Sequence, residues 1–339
     1  MNIAFLRWLK MEDYYLFSSG KLERKDNTVR LTRSDGKYKD LKIEVTRSIY
    51  LFGEVSTNTK CLNYLAQKKI PIHYYNYYGF YSGSFYPREE NVSGTLLIQQ
   101  VQAYTDSHRR LYYAKRFVLG AAKNLSRNLR YYQRRERDLN KSIKEITSLI
   151  PQINEANSVE ELMGIEGTIH RKYYAAWNRI FIPDVEFSKR VRRPPDNMIN
   201  TLISFLNGLM YTTCLSEIYV TQLNPTVSYL HSAMDRRFSL CLDISEIFKP
   251  IIVDRLIFSL INKNMVTEKD FNKESNFCYL SDRVKRLIVG EYDKYLKQKV
   301  RYKALHRDVS YRHLIRLECY KLIKSLVEGE AYAPYIMGW

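Results

Sequence analysis

Three short stretches of this chain carry side chains able to do chemistry together. Gly164-Ile165-Glu166-Gly167 sets one carboxylate between glycines. Read as a helix start, it leaves bare backbone around Glu166, where a bulky anion such as a DNA phosphate can approach. Asn224-Pro225-Thr226-Val227-Ser228-Tyr229-Leu230-His231 is a turn that delivers one histidine into an apolar strip. Leu240-Cys241-Leu242-Asp243-Ile244-Ser245-Glu246-Ile247-Phe248-Lys249-Pro250 places Asp243 and Glu246 three apart, so a helix would put both carboxylates on one face. Taken singly, each stretch has a structural explanation: Glu166 as a first-turn glutamate favoured by the helix dipole, His231 as a hydrogen-bonded core residue. Together they offer three or four convergent metal ligands. Two carboxylates held in partly buried surroundings repel each other unless a cation or a proton intervenes.

Carboxylates with one imidazole suit Mn²⁺ or Mg²⁺ better than a structural zinc, which wants thiolates or more imidazoles. In a basic protein, an oxygen-rich metal site points to phosphodiester chemistry. The ion would polarise a non-bridging oxygen and activate a hydroxyl or water for in-line attack. His170, four residues after Glu166, competes with His231 for the imidazole position, since both Glu166 and His170 can reach one ion from one helix. It is followed by Arg171-Lys172 and can equally face phosphate or solvent. His231 is favoured because an apolar setting keeps water from a ligand.

The charge balance names the partner class. Lys and Arg total 54 against 36 Asp and Glu, a net +18, which bears on partners and not on fold. Basic clusters at Arg109-Arg110, Arg127–Arg137, Lys189–Arg193, Arg236-Arg237 and Lys297–Arg307 are spread along the chain. A membrane-surface binder would concentrate them in one amphipathic segment or tail, so nucleic acid is the expected partner and no membrane is. Lys189-Arg190-Val191-Arg192-Arg193 precedes two prolines and should be extended. Its guanidinium forks would grip DNA backbone without reading sequence, and Arg236 is expected to add to that grip. The 29 tyrosines suit wet interfaces but signal nucleic acid only weakly. The five cysteines are scattered and form no CxxC pair, which excludes a zinc ribbon and leads us to expect a reduced, cytoplasmic protein. No run reaches the ~18 apolar residues of a membrane span, and Arg7, Lys10, Glu12 and Asp13 exclude a secretory signal at the start.

The elements that must position these residues follow from periodicity. Tyr14–Ser18, Thr28–Arg33, Tyr38–Val45, Ser48–Phe52, Ile70–Tyr75 and Phe80–Tyr86 read as strands, and Asn58–Lys68 reads as an amphipathic helix. A small sandwich or roll is expected there in preference to a parallel sheet. Helical patterns then dominate: Leu96–Ala122, Asn124–Leu149 ending before Pro151, a short helix opened by a Ser158/Glu161 capping box, Gly167–Ile182, Pro195–Leu223, 243–263, 281–299 and 310–327. The expected fold class is α+β, with a small β-rich N-terminal domain over 1–86, a linker over 87–94 and a larger all-α catalytic domain over 95–339.

At this point the sequence resembles a known family, the CRISPR-associated adaptation nuclease and integrase that inserts spacers into CRISPR arrays. Nearly the whole chain takes part. Ile70-Pro71-Ile72-His73-Tyr74-Tyr75, Tyr78-Gly79-Phe80-Tyr81 and Phe85-Tyr86-Pro87-Arg88-Glu89 are similar to the family's domain-closing strands and linker. Gly164–Gly167 with Tyr173, Tyr174 and Trp177 is similar to its first metal motif. Phe187–Asp196 with Asn200, Ser204 and Tyr211 resembles its arginine-proline loop and central helix, and the stretches ending at His231 and Pro250 resemble its other two metal motifs. The resemblance implies Glu166, His231 and Glu246 as metal ligands for Mg²⁺ or Mn²⁺, with Asp243 close behind. It also implies a tyrosine, Tyr211, near the chemistry, either donating to phosphate or simply packing a helix. As partners it implies double-stranded DNA (prespacer and CRISPR repeat), a homodimer through the β-rich domain, and a small ferredoxin-like adaptation protein in a heteromeric integration complex. Ser228, Lys249 and His170 depart from the family's usual Gly, Arg and small residue, and none of these removes a ligand. The rival from another class is a non-catalytic basic DNA-binding scaffold of the same fold, which would have no reason to retain the three ligands together.

Overall fold

The computed structural model describes residues 11–89, 91–192, 194–233, 238–274 and 277–338. Two compact units are present, one comprising Met1–Glu90 with Leu280–Val289, the other Asn91–Tyr279 with Gly290–Trp339.

In the first unit, β1 (Glu12–Leu16), β5 (Thr46–Leu51), β7 (Ile72–Tyr75) and β8 (Tyr81–Phe85) form a four-stranded sheet in the order β1-β5-β7-β8. A second sheet runs β4 (Tyr38–Leu41), β3 (Thr28–Thr32), β2 (Gly20–Lys25), β6 (Val55–Thr57). Leu22, Val29, Leu31 and Leu41 of the second sheet share one core with Ile49, Leu51 and Ile72 of the first. Helix α1 (Thr59–Gln67) adds Cys61, Tyr64 and Leu65 to that core, and its N-terminus is closed by Asn58, whose side chain accepts from the Cys61 N–H. Two sheets on one core fit the expected sandwich or roll, but parallel pairing was not expected in it, and β1 and β5 pair in parallel, as do β5 and β7. Parallel neighbours need a crossover, and α1 supplies the one between β5 and β7. Strand β2 escapes sequence detection because only Leu22 of Gly20–Lys25 is buried, leaving a charged run with one apolar position. The expected strand Tyr38–Val45 stops at Leu41, and Ile43–Val45 is a 3₁₀ turn.

The second unit is mainly helical: α2 (Gly94–Thr105), α3 (Ser107–Gln133), α4 (Asn140–Glu155), α5 (Val159–Ala175), α6 (Met198–Tyr219), α7 (Leu240–Lys249) and α8 (Arg255–Asn262). The hairpin β9 (Phe271–Glu274)–β10 (Phe277–Leu280) follows. Next comes α9 (Asp282–Lys297), which starts in the stretch grouped with the first unit, then the hairpin β11 (Lys299–Tyr302)–β12 (Arg307–Ser310) and α10 (Tyr311–Glu328). The mixed α+β class is therefore observed, and the four short strands inside the helical part were not expected. They are isolated pairs of four residues each, too short to show a period.

Several helix limits differ from the periodicity. The expected helix Leu96–Ala122 breaks at Asp106, whose carboxylate accepts from the N–H groups of His108 (2.9 Å) and Arg109 (3.0 Å) and so caps a new helix. Pro151 does not end α4. It lies exposed inside the helix, where water can satisfy the carbonyl its ring leaves unbonded. The stretch expected as one helix over 243–263 starts at Leu240 and is interrupted by a π turn at Pro250–Asp254. Pro250 has no N–H to donate to the carbonyl of Glu246 one turn earlier, which explains the widening at that point.

Helix α6 is apolar on nearly every side because it is buried on nearly every side. Among the described residues it is the single helix long and apolar enough to cross a membrane, and 78% of that window is buried in the protein. The five cysteines are free and buried. Asn124 of α3 ties the site helix to the C-terminal tail: its side-chain NH₂ donates to the carbonyls of Ile247 (2.9 Å) and Tyr335 (3.0 Å), and its oxygen accepts from the Met337 N–H (2.9 Å). Gly120, one turn earlier, lets the tail close in, since a Cβ there would fall 2.7 Å from Pro334 Cβ. Asn124→Ala should strand two buried backbone groups and a third that is half-buried. It is expected to lower unfolding free energy by about 2–4 kcal/mol in urea melts.

Candidate metal centre

Helix α5 begins at Ser158, whose hydroxyl accepts from the Glu161 N–H (3.1 Å). Glu166 therefore stands two turns into a continuous helix and not at a helix start, because the Ser158 cap and the 164–167 stretch belong to one element. The flanking glycines are not demanded by packing: a Cβ on Gly164 or Gly167 would meet nothing within 4 Å. The space beside both glycines is open. One turn on, His170 brings its Nε2 to 3.1 Å from Glu166 Oε1.

Helix α7 supplies Glu246, which is 6% exposed. Its Oε2 lies 3.7 Å from His170 Nε2, and its Oε1 takes the Lys249 ammonium at 2.5 Å. Donor atoms of Glu166, His170 and Glu246 all lie within 4.8 Å of one another. Burial alone would raise the Glu246 carboxyl, but Lys249, with His170 and His231, holds it well below the usual carboxylate range. The same pairing overcomes burial at Lys249 and pushes its ammonium up. Burial would lower His170, yet Glu166 and Glu246 keep its imidazole above the ordinary value.

Asp243 does not converge with Glu246. Its Oδ2 accepts from the N–H groups of Tyr229 (2.6 Å) and Leu230 (3.0 Å), while Oδ1 accepts from the His231 N–H (3.1 Å) and lies 2.8 Å from His231 Nδ1. Fully buried, it closes the turn that carries the histidine and leaves Nε2 as the ring's remaining donor. Ser228 also closes this turn, donating to the His231 carbonyl at 2.7 Å. Burial would lower His231, but the Asp243 bond and the Glu246 charge raise it. The imidazole thus feels the Glu246 carboxylate, although the tight cluster contains His170 in the place expected for His231.

Around the cluster, the Lys249 ammonium lies 5.0 Å from the ring centroid of Tyr211, which is half-buried on α6. His170 rests against Tyr174, with ring centroids 5.8 Å apart. Behind it, Asn128 donates to the Tyr173 hydroxyl (2.7 Å) and the Pro250 carbonyl (3.1 Å) and accepts from Arg255 Nε (3.2 Å). Asp254, at the end of the π turn, is buried in this region. Burial pushes its carboxyl up to about 7, with His170, the Tyr173 hydroxyl and Lys249 opposing. Sequence reasoning passed over Asp254 and gave Lys249 no role. The signal at Asp254 was a single carboxylate directly after the apolar run Ile251-Ile252-Val253.

The arginine-proline loop is anchored from two sides. Asn178 exchanges side-chain bonds with both backbone groups of Phe187 (2.9 and 3.2 Å). Asn200 accepts from the Val191 N–H (3.1 Å) and donates to the Lys189 carbonyl (3.1 Å). Lys189 and Arg192 are exposed. Arg190 instead turns its guanidinium to the Asn200 side-chain oxygen (3.1 Å) and the Ser204 hydroxyl (2.9 Å), and burial lowers its pKa. Arg193 and Arg236 lie outside the described residues.

These donors fit a divalent ion. Two carboxylate oxygens and imidazole nitrogen match the preferences of Mn²⁺ and Mg²⁺. Bonds of ~2.1 Å put neighbouring donors about 3 Å apart, near the observed 3.1 and 3.7 Å.

The family model for CRISPR associated protein Cas1 matches residues 14–294. A CRISPR-associated endonuclease Cas1 of Fusobacterium nucleatum is 52% identical over 326 residues, covering 96% of both chains. A second, from Thermodesulfovibrio yellowstonii, is 47% identical over 97% of this chain and 100% of its own. Among solved structures, a Cas1 protein from Thermotoga maritima is 41% identical with a TM-score of 0.85, covering 97% of this chain and 99% of its own. A casposase bound to integration product is 22% identical with a TM-score of 0.84, over 94% and 92% of the two chains, a likeness of fold.

Asp254 supplies a pH test of this centre's surroundings. Its folded pKa of about 7 lies above the ordinary 3.8, so its contribution to stability is complete below about pH 4 and is lost as pH rises through 7. Asp254→Asn removes that titration. Relative to the parent, the variant should gain stability between pH 4 and pH 8, by at most about 4 kcal/mol, in urea unfolding at both ends of the range.

Proposed function

Because the chain belongs to the CRISPR-associated Cas1 family, we propose that it is a divalent-metal-dependent DNA endonuclease and strand-transferase that inserts foreign DNA fragments as new spacers into CRISPR arrays. The observation that carries the proposal is the convergence of Glu166 and Glu246, from two helices distant in sequence, on one point flanked by imidazoles. A scaffold that used only its basic surface would gain nothing from setting a buried carboxylate there.

Glu166, His231 and Glu246 would hold Mg²⁺ or Mn²⁺. The bound ion would supply Lewis-acid stabilisation of charge on the phosphate and lower the proton affinity of the attacking oxygen. Asp243 holds the His231 ring by Nδ1, so that Nε2 is presented with its tautomer set. Lys249 neutralises one oxygen of Glu246 and leaves the other for the ion. Tyr211 would donate its hydroxyl to the phosphate or the departing oxygen, and Lys249 beside it adds positive charge. In strand transfer, the 3′-hydroxyl of the incoming DNA attacks phosphorus of the target strand. A new P–O bond forms, the target's own P–O3′ bond breaks, and the proton lost by the attacker balances the one gained by the leaving 3′-oxygen.

Lys189 and Arg192, exposed on the anchored loop, would grip backbone phosphates, with Arg193 and Arg236 proposed alongside them. Arg190 would serve by holding the loop in shape. We extend the proposal to the assembly: a homodimer through the strand-rich domain over 1–86, joined by the 87–94 linker to the catalytic domain over 95–339. It would act in the cytoplasm on prespacer and repeat duplexes with a small ferredoxin-like partner.

Glu246→Ala is expected to abolish both DNA cleavage and strand transfer while leaving the circular dichroism spectrum and cooperative unfolding in place. Wild-type activity in a clean preparation of the variant would sink the mechanism through Glu246, whereas a parent protein that binds DNA without cleaving or joining it would favour the scaffold. Replacing Lys189 and Arg192 together by Ala should weaken binding alike across DNA sequences and reduce the log–log salt slope by about 2. A loss confined to particular sequences would instead indicate base contacts.

A further inference from the structure

His170 occupies a place that a helix-surface ion pair does not explain. Its Nε2 is 3.1 Å from Glu166 Oε1 and 3.7 Å from Glu246 Oε2, so it sits between two carboxylates on different helices. Yet this nitrogen is buried and makes no hydrogen bond. A buried ring nitrogen without a hydrogen bond is costly, and one aimed between two carboxylate oxygens has the geometry of a metal donor. Its ring is steadied by Tyr174 at 5.8 Å. The other oxygen of Glu246 is already committed to Lys249 at 2.5 Å, so the oxygen facing His170 is the one left for an ion.

We infer that His170 is a metal ligand in this chain, adding a second imidazole to Glu166, Glu246 and His231 and biasing the centre towards Mn²⁺ and the later first-row ions over Mg²⁺. The inference rests on the metal-centre reading above and specifies it further. A site of two carboxylates and one imidazole is hard enough for Mg²⁺, which dehydrates reluctantly and favours oxygen. A second neutral nitrogen adds little for Mg²⁺ and much for ions along the Mn²⁺ to Cu²⁺ series. Spacing from one helix makes the addition compatible with the first ligand, since residues four apart share a face. Nothing in the arrangement displaces His231, whose Nδ1 is held by Asp243 and whose Nε2 stays available.

The test reads metal binding on the DNA-free, full-length protein. Mn²⁺ is titrated by loss of the free-ion electron paramagnetic resonance signal, and Mg²⁺ is measured by competition against it. His170→Ala should weaken Mn²⁺ binding by roughly 10-fold or more, while Mg²⁺ affinity shifts by less than about 3-fold. Pulsed resonance on bound Mn²⁺ should show two imidazole nitrogens in the parent and one in each of His170→Ala and His231→Ala. The parent spectrum alone keeps the test open should a variant fold poorly. A His170→Ala variant that binds Mn²⁺ within about 3-fold of the parent, or a parent with one coordinated nitrogen, overturns the inference and leaves the metal centre standing. Should Glu246→Ala bind Mn²⁺ as well as the parent, or the parent bind none, the metal centre itself falls and His170 with it.

Discussion

A carboxylate as deeply buried as Glu246 has to be balanced by positive charge where it stands, and that requirement organises the helical unit. Lys249, one turn along the same helix, meets one oxygen at 2.5 Å, while the other looks towards His170 and Glu166. Removing the lysine would leave the buried Glu246 carboxylate without its nearest counter-charge, a cost far larger than a surface ion pair ever returns. The pair therefore preserves a charged site in the absence of an ion. It also leaves the site asymmetric, with one side neutralised and one side open to a cation.

Around this pair, buried polar groups are spent on holding backbone. Asp243 uses both oxygens on the turn that bears His231. Asn124 and Asn128 reach from α3 to the carbonyls of Ile247 and Pro250, on either side of the point where α7 widens into a π turn. Further along, Glu217 of α6 is clamped by Arg312 and Arg316 of α10, each at 2.6 Å. Such ion pairs add little net stability over apolar packing. What they add here is a directional tie between α6 and α10, which apolar packing alone does not supply.

The positive surplus works at a different range. A net +18 draws any polyanion towards the molecule, and among the described basic residues of the arginine-proline loop Lys189 and Arg192 are exposed. Arg190 is consumed internally by Asn200 and Ser204. Its bonds help to hold an extended basic segment in one shape, alongside those of Asn178 and Asn200.

Local pattern was enough for the residue types that matter and for most of the elements that carry them. Glycines around Glu166, a Pro-containing turn before His231 and the amphipathic stretch around Glu246 are visible as spacing, and the mixed α+β class follows from where period two gives way to period 3.6. Strands with one buried side chain, such as β2, and pairs of four residues, such as β9 with β10, give no period to read. Which donors actually meet was not legible, because it depends on contacts between helices far apart in the chain. Sequence spacing put Asp243 and Glu246 on one face, and the fold turned Asp243 to the His231 turn. It weighed His170 below His231, and the fold set His170 between two carboxylates from α5 and α7. It counted Arg190 as a phosphate grip, and the fold pairs its half-buried guanidinium with Asn200 and Ser204. Side-chain chemistry and periodicity are properties of neighbours in sequence, whereas convergence, burial and charge compensation arise only when packing brings distant segments together.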